Sequence, residues 1–466
     1  MKEQKNRGGI IMLQRKKYQP DFWDSIIPQE ALELNEELST IDGILDDERF
    51  FMPYLEKFSK NMGRPSTPIS VYLRMMYLKF RYNLGYEMLI REVEDSFKWR
   101  KFCHLSFTDK VPDSTTLIKL TKRFGEDTLQ QINGLLVQKL KESKLIRGKK
   151  LRADTTVIES NIHYPTDAGI LADGIRVLTR TAKKIKAAGY GIRVGFINHT
   201  RKVKRVLTTI GKFLRKRDKR SSDAIKKQVH RLVKVTDEVV RRSIALRNAF
   251  RRKLRPGLES HKRPFHIFKE QIRLVKQVVQ QTKEVLSGNR HIRSRVVSIF
   301  DPGARPIQKG KISKPTEFGH SVVLSSVDKG IISNYQVVEA NPKEAKFVRK
   351  LLRKHRTLFG EPPREFAADR GFSSKRDERY LMRQGVEHVS LPARGKKSLD
   401  RKMFERQFWF RRLQRFRAGK EALISLLKRK FCLRRSLMRG TLGTSIWVGW
   451  CMITYNLWQT VRIKPP

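Results

Sequence analysis

Three acidic residues stand in contexts where an acid needs a reason. Asp154 falls inside Leu151–Ile158 (LRADTTVI), a run rich in β-branched and apolar residues that predicts a strand. Asp369 closes a second short run, Phe366-Ala-Ala-Asp369, and is followed by Arg-Gly-Phe. Glu421 lies in a helical stretch crowded with cations, among them Arg417, Lys420 and Lys428. A carboxylate set in a strand is partly withdrawn from water, which costs several kcal/mol unless a cation pairs with it. A divalent metal is one such cation, and Mg²⁺ prefers carboxylate oxygens and water. Two parallel neighbouring strands would bring Asp154 and Asp369 together across about 215 residues of chain, and a helix packed at the sheet edge would add Glu421. Glu421 taken alone reads more readily as an ion-pair partner for its basic neighbours than as a ligand.

The elements around these acids follow from periodicity and turn residues. Residues 1–148 read as helical. Ser70–Leu84 and Tyr86–Phe97 carry apolar residues at helical spacing, and Asp113-Ser114 opens a helix over Thr115–Phe124 that presents Lys119, Lys122 and Arg123. Short helices ending in a basic one suit a helix-turn-helix contact with DNA, and equally an ordinary bundle with solvated charges. The segment 149–175 holds the Asp154 strand. Residues 176–290 then form long helices with roughly 34 Lys and Arg against 7 Asp and Glu, and turns are expected at Gly189, Gly191 and Pro256-Gly257. Over 291–466, strands are expected at Arg295–Phe300, His320–Val327, Ile331–Ala340, Glu365–Asp369 and His388–Leu391. An Asp328-Lys329-Gly330 hairpin turn joins two of them, and helices lie between and after them. The sum is an α/β chain: a mixed sheet flanked by helices, an all-α N-terminal domain and an all-α basic insertion.

Composition narrows the partners. The 466 residues hold 101 Lys and Arg against 46 Asp and Glu, a formal charge of +55. A compact body with that charge repels itself and favours a polyanion such as DNA, whose counterions Lys and Arg displace. A membrane partner is disfavoured, because Ile446–Trp458, the most apolar stretch, is interrupted by Gly449, Thr454 and Asn456 and reads as a core helix. The Ile10–Leu13 run is shorter than the apolar stretch expected of a secretory signal. Cys103, Cys432 and Cys451 are odd in number and far apart, which predicts reduced thiols, and no Cys/His spacing predicts a zinc site.

The order of the three acids resembles the DDE transposases of bacterial insertion sequences. Leu151-Arg-Ala-Asp154-Thr-Thr resembles that family's first motif, and Ala367-Ala-Asp369-Arg-Gly-Phe372 its second, A-D-K/R-G-Y/F. Arg417-x3-Glu421-x6-Lys428 matches the Y-x2-R-x3-E-x6-K signature at three of four positions, with Gln414 in the Tyr position. Gly63–Pro68 through Ser114-Thr-Thr-Leu resembles the family's helical N-terminal domain, while 176–290 is longer than in many relatives. The resemblance implies a ribonuclease-H-like catalytic domain with the first Asp on the first strand, the second on the fourth and the Glu on a later helix. It implies Asp154, Asp369 and Glu421 as catalytic ligands of two Mg²⁺ ions (Mn²⁺ as substitute), roughly 4 Å apart, that activate a nucleophile and relieve phosphoryl charge. It further implies cleavage of transposon ends, attack of the freed 3′-OH on target DNA, a homodimer holding double-stranded DNA, and a cytoplasmic, nucleoid-associated life. Arg417 and Lys428, near Glu421 on one helical face, would hold phosphates, as would Lys119, Lys122 and Arg123.

Other residues read as structural: Asp301 and Asp328 in turns, Glu159 on the strand face opposite Asp154, Glu339 at a strand end, His163, His320 and His388 scattered, and Trp447, Trp450, Tyr455 and Trp458 as core. Two other readings share the charge: a non-catalytic basic nucleic-acid-binding protein, which has no use for the acid trio, and a related nuclease that cuts without joining.

Overall fold

The computed structural model describes residues 13–58, 66–188, 192–216, 218–253, 259–289, 291–308, 316–339 and 342–463. Gly63–Pro65, the turns expected at Gly189, Gly191 and Pro256-Gly257, and Ala340 lie outside them. After two short helical turns at Phe22–Ile26 and Gln29–Leu32, the main N-terminal helices are α1 (Glu36–Leu45), α2 (Ile69–Arg81), α3 (Tyr86–Asp95), α4 (Phe97–Phe102) and α5 (Ser114–Glu142). Strand β1 (Lys150–Ser160) follows, then helices α6 (Asp167–Ala187), α7 (Thr200–Leu214), α8 (Lys219–Lys253) and α9 (Glu259–Leu286). Next come β2 (Arg305–Gln308), β3 (Thr316–Ser326), β4 (Ile332–Val338), α10 (Val348–Phe359) and β5 (Glu365–Ala367). The chain finishes with α11 (Lys375–Arg383), β6 (His388–Ser390), α12 (Leu399–Arg406), α13 (Phe408–Lys430), β7 (Arg435–Ser436) and α14 (Gly440–Val461). Two compact units result, one of residues 1–159 with 320–466 and one of 160–319.

In the first unit the strands lie in the order β4-β3-β1-β5-β6, with β7 also pairing β1. β3 and β4 are antiparallel, while β1, β5 and β6 run parallel. The N-terminal helices and the sheet share one hydrophobic core. α14 is its spine: Trp450 meets Tyr72 of α2 edge to face at 5.8 Å, and Trp447 meets Phe80 at 4.9 Å. Asn456, fully buried on that helix, is satisfied by bonding both ways with the Ile332 backbone at 2.9 Å and donating to Asn133 of α5. No described helix is long and apolar enough to cross a membrane.

α5 runs well past the expected end at Phe124. Its apolar stripe continues through Leu129, Ile132, Leu136 and Leu140, all buried, and Gly125 absorbs a kink at φ 72°. Asp113 stands at its N-cap without a capping side-chain bond, and Ser114 instead donates to Glu87. All three cysteines are free.

The second unit is a bundle of α6–α9 around its own core, together with the β2 hairpin onto the first residues of β3. The strand expected over Arg295–Phe300 does not form. Gln281 of α9 takes the backbone partners a strand would need: Val296 N–H donates to its Oε1 at 3.0 Å, and its Nε2 donates to the Val296 carbonyl at 2.9 Å. The valines are buried as a strand would bury them, but one side-chain amide replaces the ladder.

Candidate active site

The site is built on the parallel β1–β5 pair. Lys150, Leu151 and Arg152 stand opposite Glu365, Phe366 and Ala367. Two residues farther along the same register, Asp154 is level with Asp369. Asp154 lies within β1, and Asp369 sits just past the end of β5, where it caps a 3-10 turn over Arg370–Phe372 by accepting the Gly371 N–H at 2.8 Å. Asp154 accepts the neighbouring Thr155 N–H at 2.7 Å. Burial, and then the Asp154 charge, raise the Asp369 carboxyl above the usual carboxylate range, against opposing pulls from the Gly371 N–H and the Arg417 guanidinium. Two half-buried carboxylates thus lie close enough to repel, and burial with that repulsion outweighs the pull of Arg417 on Asp369.

The strands are clamped from behind by buried cations. Arg152, two residues before Asp154, donates to Ser326 Oγ at 2.9 Å and to the Phe416 carbonyl at 2.8 Å, and its guanidinium lies 4.8 Å over the Phe416 ring. Lys420 of α13 is fully buried and donates to the Leu324 carbonyl at 2.6 Å and the Arg152 carbonyl at 3.4 Å. Burial pushes its ammonium down to about 7, with Asp154 pulling it back up. These two residues fix α13 over β1 and β3. Gln414, at the position where the resembling motif has Tyr, donates to the Ser390 carbonyl at 3.0 Å, to Ser390 Oγ at 2.9 Å and to the Ala368 carbonyl at 3.3 Å. It therefore ties the same helix to β6 and to the residue before Asp369.

Glu421 is placed differently from the two aspartates. Its side chain is 73% exposed and its ion-pair partner is Arg417, 3.6 Å away. Arg417 is the link, since its charge also acts on Asp369. Among the described residues, Asp154, Asp369 and Glu421 do not bring their oxygens within 4.8 Å of one another. Lys428 lies partly buried on the same helix, two turns beyond Glu421. Lys119 and Lys122 are exposed on α5, whereas Arg123 is engaged: it donates to the Lys57 carbonyl at 2.9 Å and lies 4.3 Å over the Phe58 ring.

Two features near the aspartates had no local sequence signal. Glu344 and Asp369 flank the same backbone: a Cβ on Gly371 would overlap the Glu344 carboxylate and stand 2.8 Å from Asp369 Oδ1. Arg394 donates to the Arg370 carbonyl at 2.7 Å and to that of Gly371, bracing the turn from the far side. Elsewhere in this unit, Asp42, Asp46 and His104 gather closely enough to suggest a metal site. The buried Arg74 guanidinium already neutralises both aspartates, at 2.7 and 2.6 Å, and His104 bonds Asp42 and the Lys16 carbonyl, so that cluster is satisfied as an ion-pair network.

Similarity to known proteins supplies the family. Residues 26–123 match the family described as Transposase domain (DUF772), and residues 302–457 match the Transposase DDE domain. The chain belongs to the DDE transposases of insertion sequences. The two matches together take in more than half of the transposase, and the second contains Asp369 and Glu421. A relative, the uncharacterized protein ORF8 in the nfe locus of Rhizobium meliloti, is 27% identical over 132 residues. That match covers 27% of this transposase and 64% of the relative. No solved structure matches.

Proposed function

We propose that this transposase cuts transposon DNA ends and joins the freed 3′-OH to target DNA, with Asp154, Asp369 and Glu421 holding two Mg²⁺ ions, replaceable by Mn²⁺. The observation that carries the reading is the placement of Asp154 on β1 beside Asp369, just past the end of the parallel neighbour β5, where burial and mutual repulsion call for a cation. The strand order β4-β3-β1-β5-β6, with β1, β5 and β6 parallel and β3 antiparallel to β4, supports a ribonuclease-H-like catalytic domain. The donor set fits a hard divalent cation: all oxygens, two of them half-buried, and a third carboxylate one helical turn from an arginine that it can leave. Bound metal would supply an activated nucleophile and relief of phosphoryl charge.

The protein groups then have distinct tasks. Asp154 and Asp369 bind from the sheet; Glu421 joins from α13 on parting from Arg417. Arg417, released, and Lys428 hold DNA phosphates beside the acids. Lys119, Lys122 and Arg123 on the first half of α5 contact the transposon end, Arg123 through the face its Phe58 stack leaves open. The helices before residue 148 serve end recognition, the 176–290 block is a basic insertion into the catalytic domain, and a homodimer holds two ends at the bacterial nucleoid.

The test is end cleavage and strand transfer by purified protein on a paired-end substrate with Mg²⁺, against Asp369→Asn and a chelator. Nicking and joined products, lost in both controls while DNA binding persists, are expected. Tight binding without cleavage in Mg²⁺ or Mn²⁺ would leave a basic DNA-binding protein. Cleavage without joined products would leave a nuclease.

A further inference from the structure

The charge excess of the second unit is ordered. On α8, Arg220, Lys227, Lys234 and Arg241 recur every seven residues. On α9, Lys262, Lys269, Lys276 and Lys283 do the same. All eight are exposed. Seven residues are nearly two helical turns, so each set stays on one face as a row, with a step of about 10.5 Å and a drift of about 20° per repeat. The two helices pack on each other antiparallel, with Phe250 against Phe265 at 6.1 Å and Lys283 paired with Asp237 at 2.8 Å farther along. The inner members of the two rows meet at one groove of about 830 Å³, walled by Lys234, Arg241, Lys276 and Lys283 and floored by Val240 and Val279.

An ordinary solvated helix face mixes signs, and this protein does so elsewhere. Lys226 pairs with Asp223, Arg242 with Glu238 and Arg273 with Glu270, each three or four residues apart on its own helix. Five members of the rows stand outside such pairing. Among the described residues, no ion pair engages Lys227, Lys234, Arg241, Lys269 or Lys276, and Asp237 is the sole acid at the groove. Like charges facing across a groove repel by design or are held for an anion. A second copy of this chain would bring the same excess of cations and be repelled, so charge complementarity selects a polyanion. Successive phosphates of one duplex strand advance about 3.4 Å along the axis, so one row step spans about three of them, and three steps in line suit an extended, regular polyanion rather than a small one.

We infer that the α8–α9 groove seats the phosphate backbone of duplex DNA, each row lying along the strand for about 30 Å. This site is separate in sequence from the acids of β1, β5 and α13 and reads no base edges, because long flexible cations over an apolar floor recognise phosphates without regard to sequence. It rests on the reading of the chain as a DNA-handling enzyme but not on which residues cleave.

The experiment compares full-length protein with K234Q/R241Q/K276Q and with K202Q/R205Q/K212Q, three exposed cations of α7 in the same unit. The probe is a labelled duplex of about 30 base pairs and arbitrary sequence, followed by anisotropy from 50 to 300 mM salt. Each phosphate contact contributes about 0.9 to the slope of log K against log salt, so loss of three lowers the slope by about 2.7 and weakens binding roughly 100-fold or more near 0.1 M salt. The groove variant is expected to show this while its thermal melt is unchanged, and the α7 variant to shift far less. Equal losses in the two variants would mean diffuse charge and overturn the proposal. So would an unchanged slope, or a change in sedimenting oligomer without a change in DNA affinity. Absence of end cleavage with an intact groove effect would sink the catalytic reading alone.

Discussion

Replacing Asp369 by Asn should make the metal-free protein more stable while abolishing cleavage. Asp154 and Asp369 are level on adjacent strands, whose spacing is about 4.8 Å. Two like charges at about 5 Å repel by roughly 3 kcal/mol at an effective dielectric of 20 and by under about 1 kcal/mol in water. Both groups are only half-buried, so solvent screening places the repulsion near the lower part of that range, about 1–2 kcal/mol. Asn keeps the Oδ1 that accepts the Gly371 N–H and nearly the same volume, so the turn after β5 loses little. In EDTA the variant should therefore melt about 2–4 °C above wild type. Mg²⁺ reverses the order once it is far above Kd: at a hundred times Kd it adds about 2.7 kcal/mol to a protein that binds it only when folded, and the variant lacks a ligand. Differential scanning fluorimetry in EDTA and across a Mg²⁺ series reads both effects. A variant that melts below wild type in EDTA, or that responds to Mg²⁺ as wild type does, would refute the claim that these two carboxylates form an electrostatically frustrated metal site.

Three further outcomes follow from named contacts. Glu421→Gln should lower stability by less than about 0.5 kcal/mol, since its one described partner is a solvent-exposed i,i+4 pair, yet should abolish cleavage; a melt beside an activity assay separates the two. His355 is buried against Phe359 at 4.6 Å, and neither ring nitrogen makes a hydrogen bond of normal geometry. Burial pushes it down to about 4, so the unfolded chain takes up this proton first, and stability falls as pH drops from about 6.5 toward 4, by up to about 3 kcal/mol. His355→Phe should flatten that limb in denaturant titrations at pH 4.5 and 7, and an unchanged limb would place the titrating group elsewhere. Gly148→Ala should cost about 2–4 kcal/mol, because φ is 69° there and a Cβ would overlap the Phe359 ring; a shift of under about 1 °C in melting would show that the approach to β1 is soft.

Much of the fold was legible because its signals are local. β-branched runs marked β1, β3 and β4, and the Asp328-Lys329-Gly330 turn joins the last two, with Lys329 and Gly330 at positive φ. The failures share one cause, in that tertiary partners decide what a short segment does. β2 and β7 are four and two residues long and exist only because β3 and β1 offer them edges. Arg295–Phe300 has a strand pattern, but Gln281 occupied its backbone first. At the site, Asp154 and Asp369 could be singled out because an acid in an apolar run is conspicuous. Glu344 could not, since it lies 25 residues before Asp369 in an unremarkable turn and reaches the site only through the close approach at Gly371. Lys420 was hidden in the opposite way, as one cation among many in a basic helix, with nothing local to say that it alone is fully buried.

That burial explains how one helix can serve two demands. α13 turns about 100° per residue, which sets Lys420 about 60° to one side of Arg417 and Glu421 about 40° to the other. Lys420 falls on the side of the core residues Leu413 and Leu427, and it spends its ammonium on the Leu324 and Arg152 carbonyls. Glu421 falls on the rim, free of any core contact that would fix it, and Arg417 between them feels both carboxylate neighbours. A buried anchor and an exposed carboxylate thus stand one residue apart. On the proposed function, the exposed carboxylate is the one that moves to the metal while the helix stays pinned to the sheet. If so, Lys420→Met, which keeps the stem and removes the anchor, should weaken metal binding and raise the melting response to Mg²⁺ concentration to higher values, although no metal ligand has been touched. Metal affinity unchanged from wild type in that variant would show that α13 is held by its apolar face alone and that the buried ammonium has no part in shaping the site.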